Sequence, residues 1–193
     1  MKNRIAATTA TALTAILALA GCASTATGPG DMPGMNSSTS ADADVNSSDV
    51  QFAMMMIPHH EQAVEMADMV LAKDDIDERV VVLAEQIKAA QGPEIQLMES
   101  WLDDWGTPMG DMDGMDHGGM MSDTDMQALQ DATGVEASRL FLEQMIVHHE
   151  GAIEMAQTEV ERGQNADVIA LAENIVASQT TEITTMEDIL ATL

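Results

Sequence analysis

The sequence predicts an all-α fold, an antiparallel four-helix bundle assembled from one helical hairpin used twice. Three observations carry this. The stretch Phe52–Ala67 aligns with Phe141–Ala156 at an offset of 89, and Leu83–Met98 aligns with Leu171–Met186 at 88. Two segments matching in the same order make the repeat unit a pair of helices. Apolar residues recur at steps of three and four, the period of a helix with one buried face. No stretch alternates as a half-buried strand would.

The elements follow in chain order. Residues 1–21 read as a secretory signal: Lys2 and Arg4 precede a short apolar run, Ile5 to Ala20. It ends in Leu19-Ala20-Gly21-Cys22, which resembles the bacterial lipobox and implies lipidation of Cys22, the only cysteine. Two or three acyl chains anchor a protein stably where one does not. Residues 22–47 hold almost no large apolar side chains and read as a disordered tether. The bundle then spans 48–193, as a hairpin over 48–105, a Met-rich loop over 106–122 and a hairpin over 123–193. Ser48 or Asp49 is the expected cap of the first helix, which runs to about Leu71. Asp74 or Asp75 is the expected cap of the second, which ends near Trp105 before Gly106 and Pro108. A short helix is expected around 125–131. The third long helix covers about 136–162, stopping at Gly163, and Asn165 caps the fourth. Pro58 removes a hydrogen bond from the first long helix and is a candidate kink.

Composition excludes several functions. The 193 residues carry 33 acids against 7 Lys and Arg, a formal charge of −26. Such a charge repels phosphate backbones, and 2% aromatic content leaves few stacking platforms, so nucleic acid is not an expected partner. One cysteine excludes a disulfide framework, a Cys-based zinc site and an iron–sulfur cluster. No nucleophile–base pair, phosphate loop or nucleotide fingerprint is evident. The 18 methionines stand out, as a plastic core or as soft metal donors.

The inward stripes read Phe52, Met56, His59, Ala63, Met66, Val70 on the first long helix and Phe141, Met145, His148, Ala152, Met155 on the third. They read Leu83, Ile87, Ala90, Glu94, Leu97, Trp101 on the second and Leu171, Ile175, Ser178, Glu182, Ile189 on the fourth. The polar exceptions, His59, His148, Glu94 and Glu182, fall at matched places in the repeat. Buried charge costs several kcal/mol unless paired or metal-bound. The four therefore form either a hydrogen-bonded cluster that fixes register or a metal site. Di-iron bundles of the ferritin type carry Glu three residues before His. Here Met56 and Met145 hold that position. Thioether with imidazole selects copper, above all Cu(I), and Ag(I) shares its softness. His60 and His149 sit at the stripe's edge, as second ligands or partners of a carboxylate. Met66 and Met155 fit ordinary core packing.

The loop between hairpins carries Met109, Met112, Met115, His117, Met120 and Met121 among Gly and Asp. With no core to fill, such a tract reads as a flexible collecting site for Cu(I) or Ag(I). An inert linker is the alternative.

The doubled Met-Ile-x-His-His-Glu-x-Ala-x-Glu-Met-Ala, with Ala-Glu-x-Ile and Glu-Ile-x-x-Met downstream, resembles the bacterial domain-of-unknown-function 305 family over about residues 48–193. The resemblance implies a ferritin-like four-helix bundle, usually exported, with copper-binding members that use Met and His. By position it implies Met56, His59 and His60, then Met145, His148 and His149, as ligand candidates.

The expectation is an extracytoplasmic, cell-membrane lipoprotein that sequesters or relays Cu(I). Its partners would be metal ions, the membrane through Cys22, and an unidentified copper donor or acceptor. Glu94 and Glu182 would be further ligands or supports. A metal-dependent oxidase and a metal-free interaction module are the two alternatives.

Overall fold

The computed structural model describes residues 44–107 and 118–193. Helices follow as α1 (Ser47–Leu71), α2 (Glu78–Asp104), α3 (Asp123–Asp131), α4 (Gly134–Arg162) and α5 (Ala166–Leu190). No strand occurs among the described residues. The two hairpins are α1/α2 and α4/α5, joined along an α1–α4 seam, with α3 touching both seam helices. The seam is antiparallel. Asn46 Nδ2, at the start of α1, donates to the Arg162 carbonyl at the end of α4 (2.9 Å), and Asp77 N, after α1, donates to Ser138 Oγ near the start of α4 (3.1 Å).

Local chemistry sets the helix ends. Asn46, rather than Ser48 or Asp49, caps α1. Its Oδ1 accepts from Ser48 N and Asp49 N, while Asp49 Oδ2 accepts from Asn46 N at 2.6 Å, closing a capping box. Asp77, rather than Asp74 or Asp75, caps α2 by accepting from Arg79 N (2.9 Å). Asn165 caps α5 as expected. Pro58 and Pro93 both lie within unbroken helices.

The core has two apolar clusters. One gathers Phe52, Met56 and Ile57 of α1 with Met98 and Leu102 of α2, Ala152 of α4, and Val168 and Ile175 of α5. The other gathers Ala63, Met66 and Val70 of α1 with Leu83 and Ile87 of α2, Leu129 of α3, Phe141 and Met145 of α4, and Met186 of α5. The inward stripe expected for α1 is fully buried, and that of α4 is buried as far as Ala152, with Met155 half-buried. On α2 and α5 the expected stripes drift. Ala90 and Ser178 are exposed and Leu97 is 42% exposed, whereas Gln91, Met98 and Leu102, and Gln179 and Met186, point inward. A one-residue slip turns a helix by about 100°, enough to carry a stripe off the core face.

Candidate metal centre

Between the two apolar clusters lie four histidines. His59 and His60 occupy the middle of α1 and His148 and His149 the middle of α4, and all four are fully buried. Antiparallel packing of the two repeat copies brings the motifs to the same level of the bundle. The rings of His59 and His148 stack across the seam with centroids 3.7 Å apart and planes tilted by 42°. His148 and His149 centroids are 6.4 Å apart.

The carboxylates stand differently from the expectation. Glu94 and Glu182 are about one-fifth exposed rather than inward, so they rim the layer. Their place inside is taken by His60 and His149, expected only at the stripe's edge. His60 Nε2 donates to Glu94 at 2.8 Å and His149 Nε2 to Glu182 at 2.6 Å, each within its own hairpin. A carboxylate oxygen accepts from the ring Nε2–H, and in a neutral ring bonded this way Nδ1 carries the lone pair. Those Nδ1 atoms are buried and have no hydrogen-bond partner among the described residues. The ring nitrogens of His148 are buried too, with the His59 backbone as their polar neighbour. Leaving such an atom unpaired costs about 1–3 kcal/mol, so the hydrogen bonds of the layer leave part of its polar atoms unsatisfied. Burial holds the His148 pKa well below its ordinary value; His59, His149 and His60 push the same way, against a weaker opposing contact from the His59 backbone. Its imidazole is therefore neutral at neutral pH, the form that ligates a metal.

Thioethers flank the layer on both sides. Because α1 and α4 run oppositely, the Met three residues before each His points to opposite ends. Met56 lies in one apolar cluster, with Met155 packed against it; Met145 and Met66 lie in the other. Each side of the histidine layer thus carries methionines from both seam helices. Among the described residues no three His, Cys, Asp or Glu gather into a group that could hold a metal.

A groove of about 390 Å³ leads along the seam, lined by Ser48, Phe52 and Met55 of α1, Gly151, Met155 and Glu159 of α4, and Gly118. Gly118 reaches the layer itself, since its carbonyl accepts from His59 Nε2 at 3.2 Å. Met120 and Met121 follow, both half-buried, with Met121 packed on the core. Met109, Met112, Met115, His117 and Cys22 lie outside the described residues. Sequence reading missed Gln91 and Gln179, which are buried with their Oε1 atoms unpartnered among the described residues. Their equivalence at the offset of 88 was the available signal.

Comparison with known proteins agrees with this architecture. A secreted-type protein of Streptomyces coelicolor is 38% identical, covering 75% of this chain and 93% of its own, with a TM-score of 0.71. A Deinococcus radiodurans fragment is 34% identical, covering 77% and 99%, with a TM-score of 0.71. Both are described as DUF305 proteins. CopM in its Cu(I)-bound form is 30% identical, covering 76% and 98%, with a TM-score of 0.66; CopM has also been solved bound to Cu(II) and to Ag. No curated protein matches the chain. No described helix is long and apolar enough to cross a membrane. The model of the domain of unknown function DUF305 matches residues 49–190, and the chain belongs to that family.

Proposed function

We propose that the chain is a copper-binding protein that works outside the cytoplasm, tethered through a lipidated Cys22, and that it sequesters Cu(I) or passes it on, with Ag(I) as a mimic. The observation that carries this reading is the buried four-histidine layer with methionines on both sides. Neutral imidazole and thioether are the donors that Cu(I) prefers. Solved CopM structures bound to Cu(I) and Ag, at about 30% identity, support the same chemistry.

Met56, His59, Met145 and His148 are the primary ligands in this proposal. His60 and His149 offer Nδ1, and Glu94 and Glu182 orient them from behind, a carboxylate–histidine arrangement that fixes the ring and raises its basicity. Met109, Met112, Met115, His117, Met120 and Met121 form a weaker collecting tract, and the acidic surface raises the local cation concentration.

Cu(I) competition against a chromophoric chelator tests the proposal, using the chain with and without residues 107–121. Tight binding that survives the deletion but is lost on joint alanine substitution of Met56, His59, Met145 and His148 is the expected result. Unchanged stoichiometry and affinity in the fourfold variant would refute the core site.

A further inference from the structure

Among the positions near the histidines at which the two repeat copies differ, one has a spatial meaning. Gln62 of α1 and Gly151 of α4 are equivalent at the offset of 89. Between them runs the strap Gly118–Met121, which crosses the seam over the histidine layer. On the α1 side Gln62 grips it twice: Nε2 donates to the Met121 carbonyl (2.9 Å) and Oε1 accepts from Met121 N (2.7 Å). On the α4 side Gly151 makes room. A Cβ there would lie 2.7 Å from the Gly118 carbonyl carbon and 2.8 Å from Gly119 Cα, and closer still to the Gly118 oxygen. Gly119 has φ +84°, and a Cβ on it would lie 2.8 Å from the Val147 carbonyl oxygen. Both sides of this contact are backbone, which cannot swing away as a side-chain tip can. The seated strap sets the Gly118 carbonyl on His59 Nε2.

We propose that Gln62 and Gly151 are positioning residues that seat the Gly118–Met121 strap on the histidine layer, where Gly118 caps His59 and governs access to it from the groove. Resting on the copper reading above, this makes the strap an internal competitor for His59 Nε2 that a metal must displace to use that atom. One side of the repeat holds the strap by hydrogen bonds and the other by absence of a side chain, so a repeat with Gln or Gly at both positions would lose half the clasp.

The test uses the full chain and two variants. In Gly151→Ala the added Cβ unseats the strap, although Ala is the better helix former, so α4 itself gains. Gln62→Ala removes the two hydrogen bonds without a clash and keeps the test open if the first variant folds poorly. Hydrogen exchange on the metal-free protein reads the seat directly. The Met121 amide should exchange at least tenfold faster in both variants while amides in the middle of α4 stay protected. Diethylpyrocarbonate labelling of His59 should rise severalfold in parallel, and a chromophoric chelator should remove Cu(I) severalfold faster from loaded protein. An unchanged Met121 amide would overturn the seat, and a released strap with unchanged His59 labelling would overturn the control of access. A wild-type chain that takes up no Cu(I) would defeat the copper reading, and the two metal-free measurements would still decide this one.

Discussion

Glu159 provides a sharp test of how burial and charge are balanced at the bundle's far end. It is 1% exposed near the end of α4, where Ser48 Oγ donates to Oε2 at 2.7 Å. Against it stands Asp49, also buried, whose carboxylate accepts from Asn46 N at 2.6 Å, Gln164 N at 3.0 Å and Asn165 N at 2.9 Å. Burial works to raise the Asp49 pKa, but these backbone donors and its side-chain bond with Glu159 outweigh it and hold it low. Asp49 is thus the anion of the pair. Glu159 is pushed up to about 7, by burial first and then by Asp49, with the Ser48 bond pulling the other way. Arg162 lines the same groove, with its backbone carbonyl bonded to Asn46. A group whose folded pKa lies above its unfolded value stabilises the fold fully below the unfolded pKa, here about 4.5, and loses that contribution as pH rises to about 7. At about 1.4 kcal/mol per pH unit the interval corresponds to roughly 3 kcal/mol. Glu159→Gln keeps an acceptor for Ser48 and a donor for Asp49 without the charge. Urea melts of the metal-free protein, followed by circular dichroism from pH 4.5 to 8, should show the variant gaining on wild type by roughly 3 kcal/mol as pH rises. This is equivalent to a Tm gap of order 10 °C for a domain of this size. Taking the difference removes every titration the two proteins share. Parallel profiles would show that Glu159 is ionised throughout and that no proton is held between the two carboxyls.

Three further outcomes follow from the histidine layer. Replacing both Glu94 and Glu182 by Gln should weaken Cu(I) binding by about 10–100-fold while the thermal melt of the metal-free protein moves little, as read by chelator competition beside calorimetry. His148→Leu should gain stability relative to wild type as pH falls below 6.5. The buried imidazole has a lowered pKa, so its unfolded form takes up a proton first and the wild type loses stability in that window; melts at pH 7.5 and 5.5 check it. Met56→Leu with Met145→Leu, a volume-conserving pair, should cost less than about 1.5 kcal/mol per site in metal-free stability yet lower Cu(I) affinity at least tenfold. Equal losses in both would assign these methionines to packing.

How far the sequence disclosed this molecule depended on which helix was read. On α1 and most of α4 each step of three or four lands on a buried residue, because those helices form the central seam and hide a continuous stripe. On α2 and α5 the same stepping fails after Ile87 and Ile175. The stepping runs through Glu94 and Glu182 by way of Ala90 and Ser178, whereas the buried frame passes through Gln91 and Gln179. Hydropathy ranks an alanine above a glutamine, so a polar residue built into the core diverts the pattern to the wrong face. The internal repeat carried the missing information: Gln91 with Gln179, and Met98 with Met186, match at an offset of 88. The burial of His60 and His149 had no such signal. It depends on Glu94 and Glu182 reaching them from the hairpin partner, a relation between helices that spacing along one helix cannot express.

The antiparallel duplication has a consequence that the motif alone conceals. Along one helix, Met56 and His59 are about 4.5 Å apart in axial rise, as are Met145 and His148, which suggests two Met–His pairs converging on a centre. Opposed helices send the two thioethers to opposite sides of the histidine layer, so Met56 joins the apolar cluster that receives Met155, and Met145 joins that of Met66. The same symmetry that brings the two motif histidines into contact therefore keeps their two methionines apart. Each cluster thus pairs the motif methionine of one repeat with the downstream methionine of the other. Met66 and Met155 pack in those apolar clusters as sequence spacing predicts, and substituting them together with Met145 and Met56, respectively, probes each side of the layer separately. If each side holds its own ion, Met56→Leu with Met155→Leu should remove one equivalent of Cu(I) and leave the other. A uniform fall in affinity with unchanged stoichiometry would instead mean that one ion is shared across the layer.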